Sequence, residues 1–135
     1  VDLTSIDFAS GYKYTMEVGL PTYYFGIRQE GSGSYDANAD LRIHRLNFEL
    51  GISGPMEFHL TGPQTADYIH YESGIINDIS TLNKVPSQLY KQVSVPVYRK
   101  NSKYDMTVKI PAPFTATLVA GSWDGRYNTR RHVRR

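Results

Sequence analysis

Short segments in which apolar and polar residues alternate strictly, each closed by a cluster of glycine, proline, asparagine or serine, recur from one end of the chain to the other. A period of two places successive side chains on opposite faces of an extended backbone, so each segment reads as a strand with one buried face. In "YKYTMEV", Tyr12, Tyr14, Met16 and Val18 oppose Lys13, Thr15 and Glu17. "MEFHLT" sets Met56, Phe58 and Leu60 against Glu57 and His59, and "DMTVKI" does the same with Met106, Val108 and Ile110. "QVSVPVY" puts Val93, Val95 and Val97 on one face, and Pro96, which cannot donate to a ladder, marks an edge strand. The last segment, "TATLVAGSWDGRY", alternates Leu118 and Ala120 against Val119, Gly121 and Trp123. Strands of this kind with turns between them predict a mostly β chain: an antiparallel β-sandwich or barrel-like module with at most one short helix. The 11 tyrosines, 11 glycines and 7 prolines in 135 residues favour the same class.

Between these segments the pattern is informative in other ways. "LRIHRLNFEL" carries apolar residues at Leu41 and Ile43 and then at Leu46, Phe48 and Leu50, a change of parity that a bulge near His44 and Arg45 would reconcile. "GISGP" is a turn, which makes the segments on either side of it a hairpin. "RKNSKYD" completes a second hairpin further on, and "ADYIHYES" is a further strand without a cleanly apolar face. "GLPTYYFGIRQEGSGSYDANAD" reads as a loop anchored by aromatics, with "EGSGSYDANAD" as its mobile tip. From Gly74 to Tyr90 the spacing of Ile75, Ile76, Ile79 and Leu82 suits one short helix or 3₁₀ turn ended by Pro86. The chain accordingly divides into residues 1–40, an N-terminal strand and loop, and residues 41–135, a C-terminal β domain with a basic tail. Val1 in place of Met suggests a piece of a longer protein.

Several chemistries lack their residues. With no cysteine there is no disulfide framework, thiol nucleophile or thiolate metal site. "DANAD" offers Asp36, Asn38 and Asp40 at the alternate positions of a calcium loop, but Leu41 and Asn47 occupy the positions that require Gly and Glu. His44, His59, His70 and His132 show no ligand spacing and sit among polar neighbours. No serine lies in a nucleophile elbow. Glu57 with Asp124, or Glu49 with Glu72, would form a glycosidase-type pair only if folding brought them into one cleft. No catalytic, metal-binding or cofactor-binding residue is assigned, no cofactor is expected, and no apolar run is long enough to span a membrane.

What remains is charge and aromatic surface. The formal net charge is +2, yet residues 126–135 hold five arginines and no acid, leaving 10 basic against 13 acidic residues in the rest. Arg126, Arg130, Arg131, Arg134 and Arg135 suit either phosphate contact or docking against protein. Trp123 is the expected core or interface anchor of the last strand. Tyr23, Tyr24, Tyr68 and Tyr71 motivate an alternative, a sandwich that stacks exposed aromatics on carbohydrate and recognises a receptor.

The order "VSVPVYRKN", "DMTVKI", "PAPFTATLVAGSWDGRY" and a terminal "RR", preceded by "LRIHRLNFELGISGPMEFHL", resembles the C-terminal region of the tail tubular protein B family, which forms the tail nozzle of short-tailed bacteriophages. The resemblance covers residues 41–135. It departs from the family at Asp124, where the family's Trp-Glu-Gly triplet has glutamate. It implies a structural virion component located in the phage tail: a ring, expected to hold six copies, that meets the tail adaptor protein and passes DNA during ejection. In such a conduit the terminal arginines would serve contacts between proteins before contacts with DNA.

Overall fold

The computed structural model describes residues 11–29, 32–35, 40–63, 66–75, 89–111 and 113–128. The strands among these residues are β1 (Met16–Leu20), β2 (Gly26–Gln29), β3 (Ser32–Tyr35), β4 (Asp40–Leu50), β5 (Met56–Thr61), β6 (Tyr68–Glu72), β7 (Lys91–Lys100), β8 (Asp105–Ile110) and β9 (Leu118–Asn128), with a 3₁₀ turn at Asn101–Lys103. All pairs are antiparallel. One sheet runs β1-β8-β5-β6 and the other β7-β4-β9, and the two pack face to face as a β-sandwich; β2 and β3 form a separate hairpin.

The alternation of the sequence is spent on the space between the sheets. Leu41, Ile43, Leu46, Phe48 and Leu50 of β4 meet Met56, Phe58 and Leu60 of β5, Met106, Val108 and Ile110 of β8, and Val93, Val95 and Val97 of β7. All are buried, and the Phe48 and Phe58 rings stack across the gap with centroids 5.0 Å apart. The bulge in β4 lies at the expected place: pairing to both β7 and β9 shifts between Ile43 and Arg45. Skipping His44 returns the apolar set to the inner face, which is why the parity change costs no burial. β7 is an edge strand, as Pro96 requires.

Three expectations change. The turns at 51–55 and 101–104 do not close hairpins. Each carries the chain from one sheet to the other, so β4 and β5 belong to different sheets, as do β7 and β8. Alternation reports which face is buried and is silent about whether the next strand lies beside or opposite. The segment read as a loop at 19–40 contains the β2–β3 hairpin, with Gly26 opposite Tyr35 and Gln29 opposite Ser32. The short helix expected between Gly74 and Tyr90 falls largely on residues outside those described. β1, from the N-terminal stretch, completes the four-stranded sheet by pairing with β8 from Met16–Ile110 to Leu20–Met106.

The first crossing is stapled by backbone and hydroxyl groups. Gly51 and Gly54 donate their N–H groups to the carbonyls of Thr117 and Thr115 at 2.9 and 2.8 Å. Fully buried Ser53 accepts from the Thr117 N–H at 2.7 Å through its Oγ, which donates to the Thr117 carbonyl at 3.2 Å. A buried hydroxyl so satisfied fixes the approach to β9 without leaving a polar group unpaired.

Candidate functional site

β9 is the strand that carries the features singled out by the sequence. Among the described residues it pairs only with β4, and its other edge has no strand partner. Residues of β9 opposite the apolar positions of β4 turn toward the core: Trp123 faces Leu46, Gly121 faces Phe48, Gly125 faces Ile43 and Tyr127 faces Leu41. Trp123 is half-buried and packs against the margin of the core. Phe25 closes over this margin, stacked on Tyr127 at 4.1 Å and edge-on to Trp123 at 6.5 Å.

The triplet Trp123-Asp124-Gly125 thereby acquires a physical account. Trp123 caps the core, and Asp124 points outward and accepts a 2.8 Å hydrogen bond from Asn47 Nδ2. Gly125 lies so close to the bulge that a Cβ there would stand 2.2 Å from the carbonyl oxygen of Arg42. Only glycine allows β9 to approach β4 at this point.

Among the described residues, nothing covers the side of the sandwich where β1 and β9 form the sheet margins. Met16 and Val18 of β1 are 41% and 44% exposed although they lie on the core-facing side, and Leu118 of β9 is 45% exposed. They line a narrow apolar groove of about 80 Å³ that continues onto Met56 and Ile110. On the opposite side, Lys91 of β7 forms an ion pair with Glu72 of β6 and ties the two sheets together. Burial alone would raise the Glu72 carboxyl, but the Lys91 ammonium, the Gly74 N–H and His70 hold it below its ordinary value.

The outer face of β7-β4-β9 is mostly polar. Arg42 pairs in register with Lys100 on one side and Arg126 on the other, so three cations form one row across three strands. The next outward row holds Pro96, Arg45 and Asp124, and beyond it come Ser94, Asn47 and Ser122, then Gln92, Glu49 and Ala120. These last two rows floor a shallow concavity of about 370 Å³. Sequence reasoning missed the cation row because its members are 58 and 26 residues apart and only strand pairing brings them together.

Of the five arginines at the end of the chain, Arg126 thus belongs to the sheet. Arg130, Arg131, Arg134 and Arg135 lie outside the described residues, as does His132. The four tyrosines of the carbohydrate reading are dispersed. Tyr23 is half-buried against the core, and its carbonyl accepts from Asn101 Nδ2 at 3.0 Å, whereas Tyr24 is exposed. Tyr68 is in register with Leu60 and Tyr71 with Glu57, which places them on opposite faces of β6.

The carboxylate pairs do not converge. Glu57 lies on the outer face of one sheet, where it is hydrogen-bonded to His59 at 2.7 Å, and Asp124 lies on the outer face of the other. Glu49 is in the outward polar row of β4, while Glu72 is engaged by Lys91. His70 differs from the expectation of a polar setting, since its ring packs against that of Phe58 at 6.3 Å. Among the described residues no group of three or more His, Cys, Asp or Glu is placed to hold a metal ion, and no helix is long and apolar enough to cross a membrane.

Taken together, the fold and these surfaces define a structural β-sandwich module whose conspicuous features are faces and edges for contact. The chain belongs to the bacteriophage nozzle protein family, whose profile matches residues 1–134. It is therefore a structural component of the phage virion tail. The match extends over the N-terminal 40 residues as well as the region whose motifs carry the resemblance. No curated protein matches the chain.

Proposed function

We propose that the chain serves tail assembly and DNA passage: copies of the complete protein associate as a ring, expected to contain six, that joins the tail adaptor protein and surrounds the path of the ejected DNA. The observation that carries this reading is the match to the nozzle family over residues 1–134. The open apolar margin between β1 and β9 is consistent with a module that buries further surface on assembly, since apolar patches at a sheet margin mark contact sites. The module acts without catalysis. In this reading Arg130, Arg131, Arg134 and Arg135 dock against protein.

The test is removal of residues 129–135 from the complete protein. The melting temperature is expected to stay unchanged, while ring formation and attachment to the adaptor are lost. Truncated protein that still builds normal, infectious tails would defeat the assembly role of these arginines.

A further inference from the structure

The cation row on the outer face of the three-stranded sheet has no counterpart on the other sheet among the described residues. There the corresponding row alternates in sign: Glu17 is in register with Lys109, and Lys109 with Glu57, and Lys109 Nζ lies 3.1 Å from a Glu17 carboxylate oxygen. Across β7-β4-β9 the row reads Lys100, Arg42, Arg126, with neighbouring strands about 4.8 Å apart. Like charges directly opposite one another repel, so such a row is unfavourable in isolation.

The carboxylates on this face relieve it in part. Asp40 lies 3.4 Å from Lys100, and Asp124 is engaged by Asn47. Arg42, Arg45 and Arg126 are exposed and form no ion pair with a carboxylate among the described residues, although Asp124 stands in register with Arg45. Glu49 stands two rows beyond Arg45, toward the other end of the sheet.

Beyond the cations, Ser94, Ser122 and Ala120 keep the surface low, and Asn47 and Gln92 add amide groups around the concavity of about 370 Å³. Short side chains with hydroxyl and amide donors beside arginines suit a phosphodiester chain, whose oxygens accept from both and whose charge is met without base-specific contacts.

We infer that the outer face of β7-β4-β9 binds the phosphodiester backbone of nucleic acid, with Arg42, Arg45, Lys100 and Arg126 as the phosphate-contacting cations. The inference rests on the reading above only in that passing DNA supplies the polyanion. It differs in assigning DNA contact to the sheet and protein contact to the tail.

The test uses the full chain and a fluorescent DNA duplex of about 30 base pairs, titrated by anisotropy between roughly 25 and 200 mM NaCl, where affinity falls by about 0.9 log units per phosphate contact for each log unit of salt. The Arg42→Gln/Arg126→Gln variant is expected to reduce that slope by about 2, and Ser94→Asp/Ser122→Asp to weaken binding at least about tenfold. A chain lacking residues 129–135 should keep a salt-dependent signal that the arginine variant then removes. Thermal melts of each variant confirm that the sheet is intact.

An unchanged slope in the arginine variant, complete loss of binding on tail removal alone, or competition by poly-L-glutamate equal to that by DNA would each overturn the assignment, the last in favour of an acidic protein surface. Ring formation by the same arginine variant is scored separately. Normal rings with an unchanged DNA slope would remove the face assignment and leave the assembly reading standing. Lost rings with a reduced slope would retain the face and show that it also serves assembly.

Discussion

Tyr104 shows how a single side chain departs from the rule that buried polar groups are paired. It is 8% exposed at the entrance to β8, and its hydroxyl has no hydrogen-bond partner among the described residues. Burial, with the neighbouring Tyr23, raises its pKa well above the ordinary phenol value. An unpaired buried hydroxyl retains its desolvation cost, so Tyr104→Phe is expected to be neutral or to stabilise by up to about 1 kcal/mol, read from urea denaturation. Trp123 belongs to a different class. The sequence marked it as an anchor, and full burial would make its truncation cost about 3 to 5 kcal/mol. Because it is half-buried at the core margin, Trp123→Ala is expected to cost about 2 kcal/mol in the same measurement. Its position on a strand was legible from alternation; its partial exposure was not, since that depends on how far the opposing sheet extends.

Among elements, the β4–β9 pair shows most clearly how local chemistry sets geometry. The parity break between Ile43 and Leu46 is visible in the sequence, and the bulge follows from it because a strand buried on one face must restore its register. The glycine that accommodates the bulge from the other strand is not legible as such, since a glycine in a strand has several possible causes. Here the cause is the carbonyl of Arg42, 2.2 Å from where a Cβ would sit. Gly125→Ala therefore has to displace backbone, and is expected to cost about 2 kcal/mol or more. The diagnostic is a loss of amide protection in the Asp40–Ile43 part of β4 under hydrogen exchange, greater than at Phe48 and Leu50. Equal protection throughout would mean that the strands absorb the methyl without separating.

For the molecule as a whole, the two sides of the sandwich differ in how they are closed. Glu72 and Lys91 join the sheets on the β6–β7 side, and the β1–β9 side stays open along Met16, Val18 and Leu118. The Glu72 carboxyl is held below its ordinary value of 4.5, so the folded state keeps it ionised where the unfolded chain would bind a proton. Its contribution is fully present above that ordinary value and is lost as pH falls through the lower folded one. Glu72→Gln is expected to reduce stability by about 1 kcal/mol at neutral pH, with the difference from the parent narrowing toward zero in acid. Melting temperatures across the acid limb give the answer, and a difference independent of pH would assign the loss to packing. The asymmetry also bears on assembly, since the open margin is where further apolar surface remains to be covered.

Alternation with a period of two determined that the chain is β, which side chains of β4, β5, β7 and β8 enter the core and where β4 bulges, because the pleat converts sequence parity directly into sidedness; it did not foresee that Tyr12 and Tyr14 lie before β1 and are exposed. The arginine-rich end and the motif order around Trp123, Asp124 and Gly125 determined the family that the profile match then showed. Tertiary structure alone decided that the turns at 51–55 and 101–104 cross between sheets, that β1 and β9 border an open margin, and that Lys100, Arg42 and Arg126 stand in one row. Pairing partners and sheet order arise from contacts between residues far apart in the chain, and a local pattern carries no record of which distant strand it will meet.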